Sequence, residues 1–394
     1  MCYNKHIVGG SIIMDSERLK IIIDEWYDYI GKNDLVGLEK LIEMPIKDFI
    51  MQLLQNIYNY YKDDVTFISA DKDRNLEYII AAQKGVYSLE DFLINRLLRN
   101  ISAISYKKQL ITPESHYQYE FGEVLIDKEC MENKLKSVYQ RRKVLASEVL
   151  HALKTQMLGR NIFRSESYFH LKERLKAQIP DVINDFYYFE GSGQNSLYGH
   201  IGLYKKNDLL DINDVDEAFN EANAVRFTGD RYKQVVKFNS GLCISLDNIE
   251  SPNSLITNYA SVIEKLFDKE SLFEGMYLDP DSLTNKFNKM YNHIFQENYY
   301  SSKTATEILI EQFAKIKSDP NNTNNHLTLL ETIHECMEQN SILNNQGEEE
   351  YEKNIMCLGY YGLLEYKDNT LRPYEELSYR KEYDTIRDKM KNKM

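Results

Sequence analysis

Apolar residues recur every three to four positions over most of this chain, and that period predicts helix. Residues 15–30 place Leu19, Ile22, Ile23, Trp26 and Ile30 on one stripe, ended by Gly31. Residues 35–43 form a shorter helix stopped before Pro45. Residues 46–61 put Phe49, Ile50, Leu53, Leu54, Ile57 and Tyr61 on one broad face. Residues 65–69 read as one short strand. Ser88 followed by Asp91 is a capping-box start, and its helix runs through Phe92, Leu93, Leu97 and Ile101. Residues 14–130 are therefore expected to be a helical bundle.

Residues 131–190 read as a helical connector carrying Val138, Leu145, Val149, Leu153 and Leu158, broken by Gly159. The character changes over 191–250. A Gly-Ser-Gly loop opens this stretch, a short helix is expected at 215–224, and strands at 232–238 and 242–246 flank an Asn239-Ser-Gly241 turn. This is a small α/β module. Helix returns over 251–303, and residues 380–394 are a charged tail.

Residues 304–379 hold three more helical stretches, at 304–317, 327–340 and 348–361, then a hairpin pattern at 363–373. In the third, Tyr351, Ile355, Leu358 and Gly362 share one stripe. In this order of elements the segment resembles the winged-helix family. The fold class expected for the whole is mostly α, with an N-terminal bundle, a small α/β insert and a C-terminal winged-helix-like domain.

Charge changes what that resemblance implies. DNA-reading winged helices place basic or amide side chains on the third helix. Here that helix carries Glu348, Glu349, Glu350 and Glu352 against one Lys353. A face of Glu348, Glu349, Tyr351, Glu352 and Tyr366 is suited to docking a protein, because a polyanion would meet like charge there. The chain carries a net −13, which also weighs against wrapping nucleic acid.

One stretch departs from this balance. Residues 131–180 hold eleven cations and four anions, a surplus of seven, so the rest of the chain carries −20. Arg141, Arg142, Lys143, Lys154, Arg160, Arg164, Lys172, Arg174 and Lys176 are the candidate contacts to nucleic acid or an acidic partner. Tyr139, Phe163, Tyr168 and Phe169 interleave with them, as stacking platforms for single strands do. The competing reading is a salt-bridged face docked on the chain's own acidic regions.

Candidate chemistry is sparse. Five dispersed cysteines without a C-x-x-C pair read as reduced thiols of a cytoplasmic protein. The eight histidines show no zinc spacing, and neither a P-loop nor a nucleophile elbow is present. The acidic run from Asp208 to Glu217 fails the EF-hand pattern, with Val215 at position 5 and Ala222 at position 12 counted from Asp211. Asp230 with Lys233, or Asp247 with Lys237, would have to be forced into a metal-nuclease role. No catalytic residue, cofactor or metal is assigned. No run reaches the roughly 18–20 apolar residues of a membrane span.

The first residues carry another kind of signal. Residues 8–14 back-translate with a GGAGG core just upstream of the Met14 codon, which is how a bacterial ribosome-binding site looks when read as protein. Residues 1–13 are then leader and Met14 the native start. The alternative is a genuine short arm starting at Met1.

A helical N-terminal part with a winged helix at the far end resembles the layout of kleisin-type bridging subunits. That layout implies a non-catalytic adaptor of a bacterial multi-protein complex, docking an ATPase or nuclease in chromosome-maintenance or anti-phage systems. The alternatives are a nucleic-acid-binding regulator that uses residues 131–180, and an enzyme with a dispersed site.

Overall fold

The structure is a computed structural model. It describes residues 14, 16–65, 88–109, 114–118, 121–135, 137–155, 174–175, 213–228, 235–237, 243–245, 267–278, 305–322, 324–326, 328–329, 364–367 and 370–373.

The described residues are mostly helical. The first helix, α1 (Ser16–Tyr29), buries Leu19, Ile22, Ile23 and Trp26, the stripe expected from the sequence. Helix α2 (Leu35–Ile42) is bracketed by two non-glycine residues of positive φ, Asp34 at 53° and Glu43 at 52°. Helix α3 (Ile46–Tyr61) starts directly after Pro45, whose ring cannot continue a helix backwards, and it buries its whole expected face. Helix α4 (Leu89–Asn100) opens on the expected capping box. Ser88 Oγ accepts from the Asp91 amide at 3.1 Å, and Asp91 Oδ2 accepts from the Ser88 amide at 3.3 Å. Every residue from Asp91 to Asn100 is buried, so α4 runs through the middle of the core.

The helical part expected over 14–130 also contains a small sheet that the sequence reading did not include. A four-stranded mixed sheet runs through it, in the order β1-β2-β4-β3, from β1 (Gly31–Asn33), β2 (Ala103–Lys107), β3 (His116–Gln118) and β4 (Glu123–Asp127). β1, β2 and β4 are parallel, and β3 pairs antiparallel with β4. The strands are three to five residues long. Val124, Leu125 and Ile126 form one unbroken buried run rather than an alternation. Such a run is ambiguous between strand and helix by period alone. Gly122, at φ 60°, turns the chain into β4 and offers its carbonyl to the Ser102 amide at 2.8 Å.

Helix α5 (Val138–Lys154) begins on a second capping box, Ser137 with Gln140, and packs on α2, α4, β3 and β4. Its strongest partner is α6 (Asn213–Phe227), the helix expected in the α/β module. The short helix α7 (Lys269–Phe273) continues into a π-turn, Glu274–Leu278. Aromatic rings join these distant segments. Tyr61 of α3 meets Phe273 at 5.2 Å and Phe227 at 6.2 Å, and Phe92 of α4 meets Phe273 at 5.5 Å.

Two hairpins lie where the turn residues place them. β5 (Val235–Lys237) pairs antiparallel with β6 (Cys243–Ser245), and β7 (Leu364–Lys367) with β8 (Thr370–Pro373). Helix α8 (Ala305–Ser318) falls on the helical stretch expected at 304–317. The strand at 65–69, beyond Val65, and the helices at 327–340 and 348–361, apart from 328–329, lie outside the described residues. Among the described residues no helix is long and apolar enough to cross a membrane.

Candidate functional site

In open sheets with parallel strands, ligands gather outside the carboxyl ends of the strands. In this chain β1, β2 and β4 end together, so that edge is the first place to look. β1 runs into Asp34, β2 ends at Tyr106 and Lys107, and β4 ends at Asp127 and runs into Lys128. A π-turn, Cys130–Lys134, follows β4 and contributes Glu132. Such turns recur at functional sites.

These groups hold one another. Lys128 Nζ pairs with the Asp34 carboxylate and lies 5.0 Å from the centre of the Tyr106 ring. Tyr106 Oη donates to Glu132 Oε1 at 2.7 Å. Gly37 lies close against this cluster. A Cβ there would sit 3.1 Å from the Asp34 carboxylate and 3.2 Å from the Tyr106 ring. The buried Asp127 carboxylate accepts from the Cys130 amide at 2.7 Å and the Gln109 amide at 2.8 Å. It therefore fixes the loop before β3 and the start of the π-turn.

The electrostatics follow from these partners. Bonding to Lys128 holds the Asp34 carboxyl below its ordinary value. Burial, then the bond to Glu132, pushes the Tyr106 phenol up. Burial likewise raises the Cys130 thiol, which removes thiolate character at neutral pH. Proton donors and acceptors at this edge are thus committed to each other. The arrangement braces the sheet. Among the described residues no group of three or more His, Cys, Asp or Glu could hold a metal ion.

Four described cations of the basic stretch, Arg141, Arg142, Lys143 and Arg174, are engaged within the chain. Arg141 donates to the carbonyls of Met131 at 3.0 Å, Leu135 at 3.1 Å and Leu41 at 3.4 Å. Arg142 donates to the Ile42 carbonyl at 2.8 Å and the Glu43 carbonyl at 3.4 Å. The two guanidiniums thus close the carboxyl end of α2, where unpaired carbonyls and the helix dipole favour positive charge. Lys143 pairs with Glu221 of α6 at 2.5 Å. Lys154 is 3% exposed. Arg174 donates to Tyr29 Oη and Glu25 Oε1, both at 3.0 Å.

Arg160, Arg164, Lys172 and Lys176 lie outside the described residues, as do Glu348, Glu349, Tyr351 and Glu352. Tyr366 is in β7, opposite Leu371. Of the acidic run, Asp214, Asp216 and Glu217 fall in the first turns of α6. The sequence reading missed Asp34, Tyr106, Lys128 and Glu132. The available signal was the apolar run Val124–Leu125–Ile126 closing on Asp127 and Lys128, which marks the carboxyl end of a buried strand.

No protein-family model matches this chain, and no curated protein and no solved structure matches it either.

Proposed function

We propose that the chain is a docking subunit of a bacterial multi-protein complex, bridging to a partner that supplies the chemistry, such as an ATPase or nuclease. The observation that carries this reading is the use made of its cations. Arg141, Arg142 and Lys143 are bound by the chain's own carbonyls and a carboxylate. Side chains committed in this way brace a scaffold, and they are withdrawn from phosphates. The mutual pairing at the carboxyl edge of the sheet favours a scaffold in the same way. The antiparallel pair β7–β8 follows the acidic stretch 348–361 in sequence, the order expected of a wing after a third helix, in keeping with a protein-docking use of that segment.

The test is recovery of the tagged full-length chain from its host, with partners identified by mass spectrometry. A partner in fixed stoichiometry is expected. A strictly monomeric, partner-free chain contradicts the proposal. Measuring affinity for DNA and RNA against salt separates the alternative, because a nucleic-acid regulator loses affinity steeply as salt rises.

A further inference from the structure

Helix α6 reaches its seat on α5 after a long excursion, with residues 155–212 between the two helices. A connection of that length does not choose the register of α6, because closing a long loop costs nearly the same for neighbouring positions. The contact itself must choose it. Asn220 lies at the middle of α6 and is 0% exposed, and Ser147, near the middle of α5, is 1% exposed. Asn220 Nδ2 donates to Ser147 Oγ at 2.7 Å and to the Ser147 carbonyl at 3.1 Å. Asn220 Oδ1 is buried without a hydrogen-bond partner among the described residues. Lys143, one turn before Ser147, pairs with Glu221, the residue after Asn220, so both contacts specify the same register. Phe227 anchors the far end of α6 on Tyr60 and Tyr61, by ring packing that is not tied to one donor and one acceptor.

For stability alone the polar pair is a poor choice. A buried amide left half-satisfied costs free energy, and apolar side chains of the same shape would stabilise the contact more. Its use is positional. An amide meets a given carbonyl and hydroxyl at one register only, whereas apolar side chains accept several, which is how a single buried Asn sets the register of paired helices. We propose that the Asn220–Ser147 contact is a register lock, which holds α6 at one position on α5 and gives up stability to do so.

The test uses the full-length chain and a carbodiimide, which joins a lysine to a carboxylate already in contact. The Lys143 and Glu221 side chains are 24% and 22% exposed, so the reagent reaches them. The Lys47–Asp24 pair between α3 and α1, at 2.7 Å, is the internal reference. Mass spectrometry of the peptides reads the ratio of the two products, and denaturant unfolding reads stability. Asn220→Leu combined with Ser147→Ala keeps the shape and removes the polar pair. This variant is expected to unfold at no lower denaturant concentration than wild type. Its Lys143–Glu221 product is expected to fall about fivefold against the reference, the population shift made by one hydrogen bond of ordinary net strength. Ser147→Ala alone keeps the Ser147 carbonyl as acceptor and is expected to leave the ratio unchanged. An unchanged ratio in the double variant overturns the lock. A double variant that unfolds earlier than wild type, or does not fold, overturns it as well, because the pair would then support stability.

Discussion

Two regions of this molecule solve the same problem in opposite ways. The junction of α3, α4, α6 and α7 joins segments more than 150 residues apart by burying aromatic rings, with Phe273 and Tyr277 stacked at 4.9 Å. The carboxyl edge of the sheet joins β1, β2, β4 and the π-turn by pairing charges and a phenol. Burial of apolar area scales with the surface removed from water, whereas half-exposed ion pairs contribute little. The junction should therefore carry the stability of the described fold, and the edge should set its local geometry.

The largest effect is expected at the junction. Phe92→Ala removes a ring packed on Phe273 and Tyr277 and should cost about 4 kcal/mol in denaturant unfolding. A cost below about 1 kcal/mol would mean the rings do not form one core.

Arg96 is the polar exception inside that junction. Its guanidinium is 1% exposed and donates to the Thr155 carbonyl at 2.8 Å and the Tyr277 carbonyl at 3.1 Å. Arg96→Ala takes this donor from the Tyr277 carbonyl, leaves the Thr155 carbonyl only Asn100 Nδ2 at 2.6 Å, and empties a buried site, so it should cost about 3 kcal/mol, read as a lower midpoint with unchanged slope.

At the edge the expected cost is smaller. Tyr106→Phe removes the bond to Glu132 and should cost about 1 kcal/mol. It should leave binding of a recovered partner unchanged. A variant that keeps its stability but loses partner binding would turn the edge from brace to site.

The smallest effect is a pH dependence in the C-terminal segment. His326 is 0% exposed and bonded to the Pro320 carbonyl at 2.7 Å, and burial lowers its pKa. A histidine with a depressed folded pKa stabilises the fold above the unfolded value, about 6.5, and loses that contribution as pH falls through the folded value. Thermal unfolding of wild type should soften below pH 6.5 more than that of His326→Gln. Parallel pH curves would contradict this.

Much of the helical part was legible in the sequence. The stripes of α1 and α3 and the capping box at Ser88 rest on local spacing, which survives folding unchanged. The sheet was not legible. Gly31-Lys32-Asn33 carries no β-forming residue, and it is a strand only because Ala103, Ile104 and Ser105 lie beside it. The cations of residues 131–180 illustrate the same limit. Arg141 and Arg142 read as surface charge because their partners are backbone carbonyls, those of Met131 and Leu135 for Arg141 and, about 100 residues away, those of Leu41 and Ile42 in α2, and no sequence pattern records a carbonyl's need for a donor.

The proposed role is to dock proteins, with the chemistry left to a partner. The most direct measurement is the mass of the native assembly recovered with the tagged full-length chain from its host, with its components identified. A complex of fixed composition that contains a second polypeptide is expected. A homogeneous, partner-free monomer, or a purified chain that turns over a substrate alone, would contradict it.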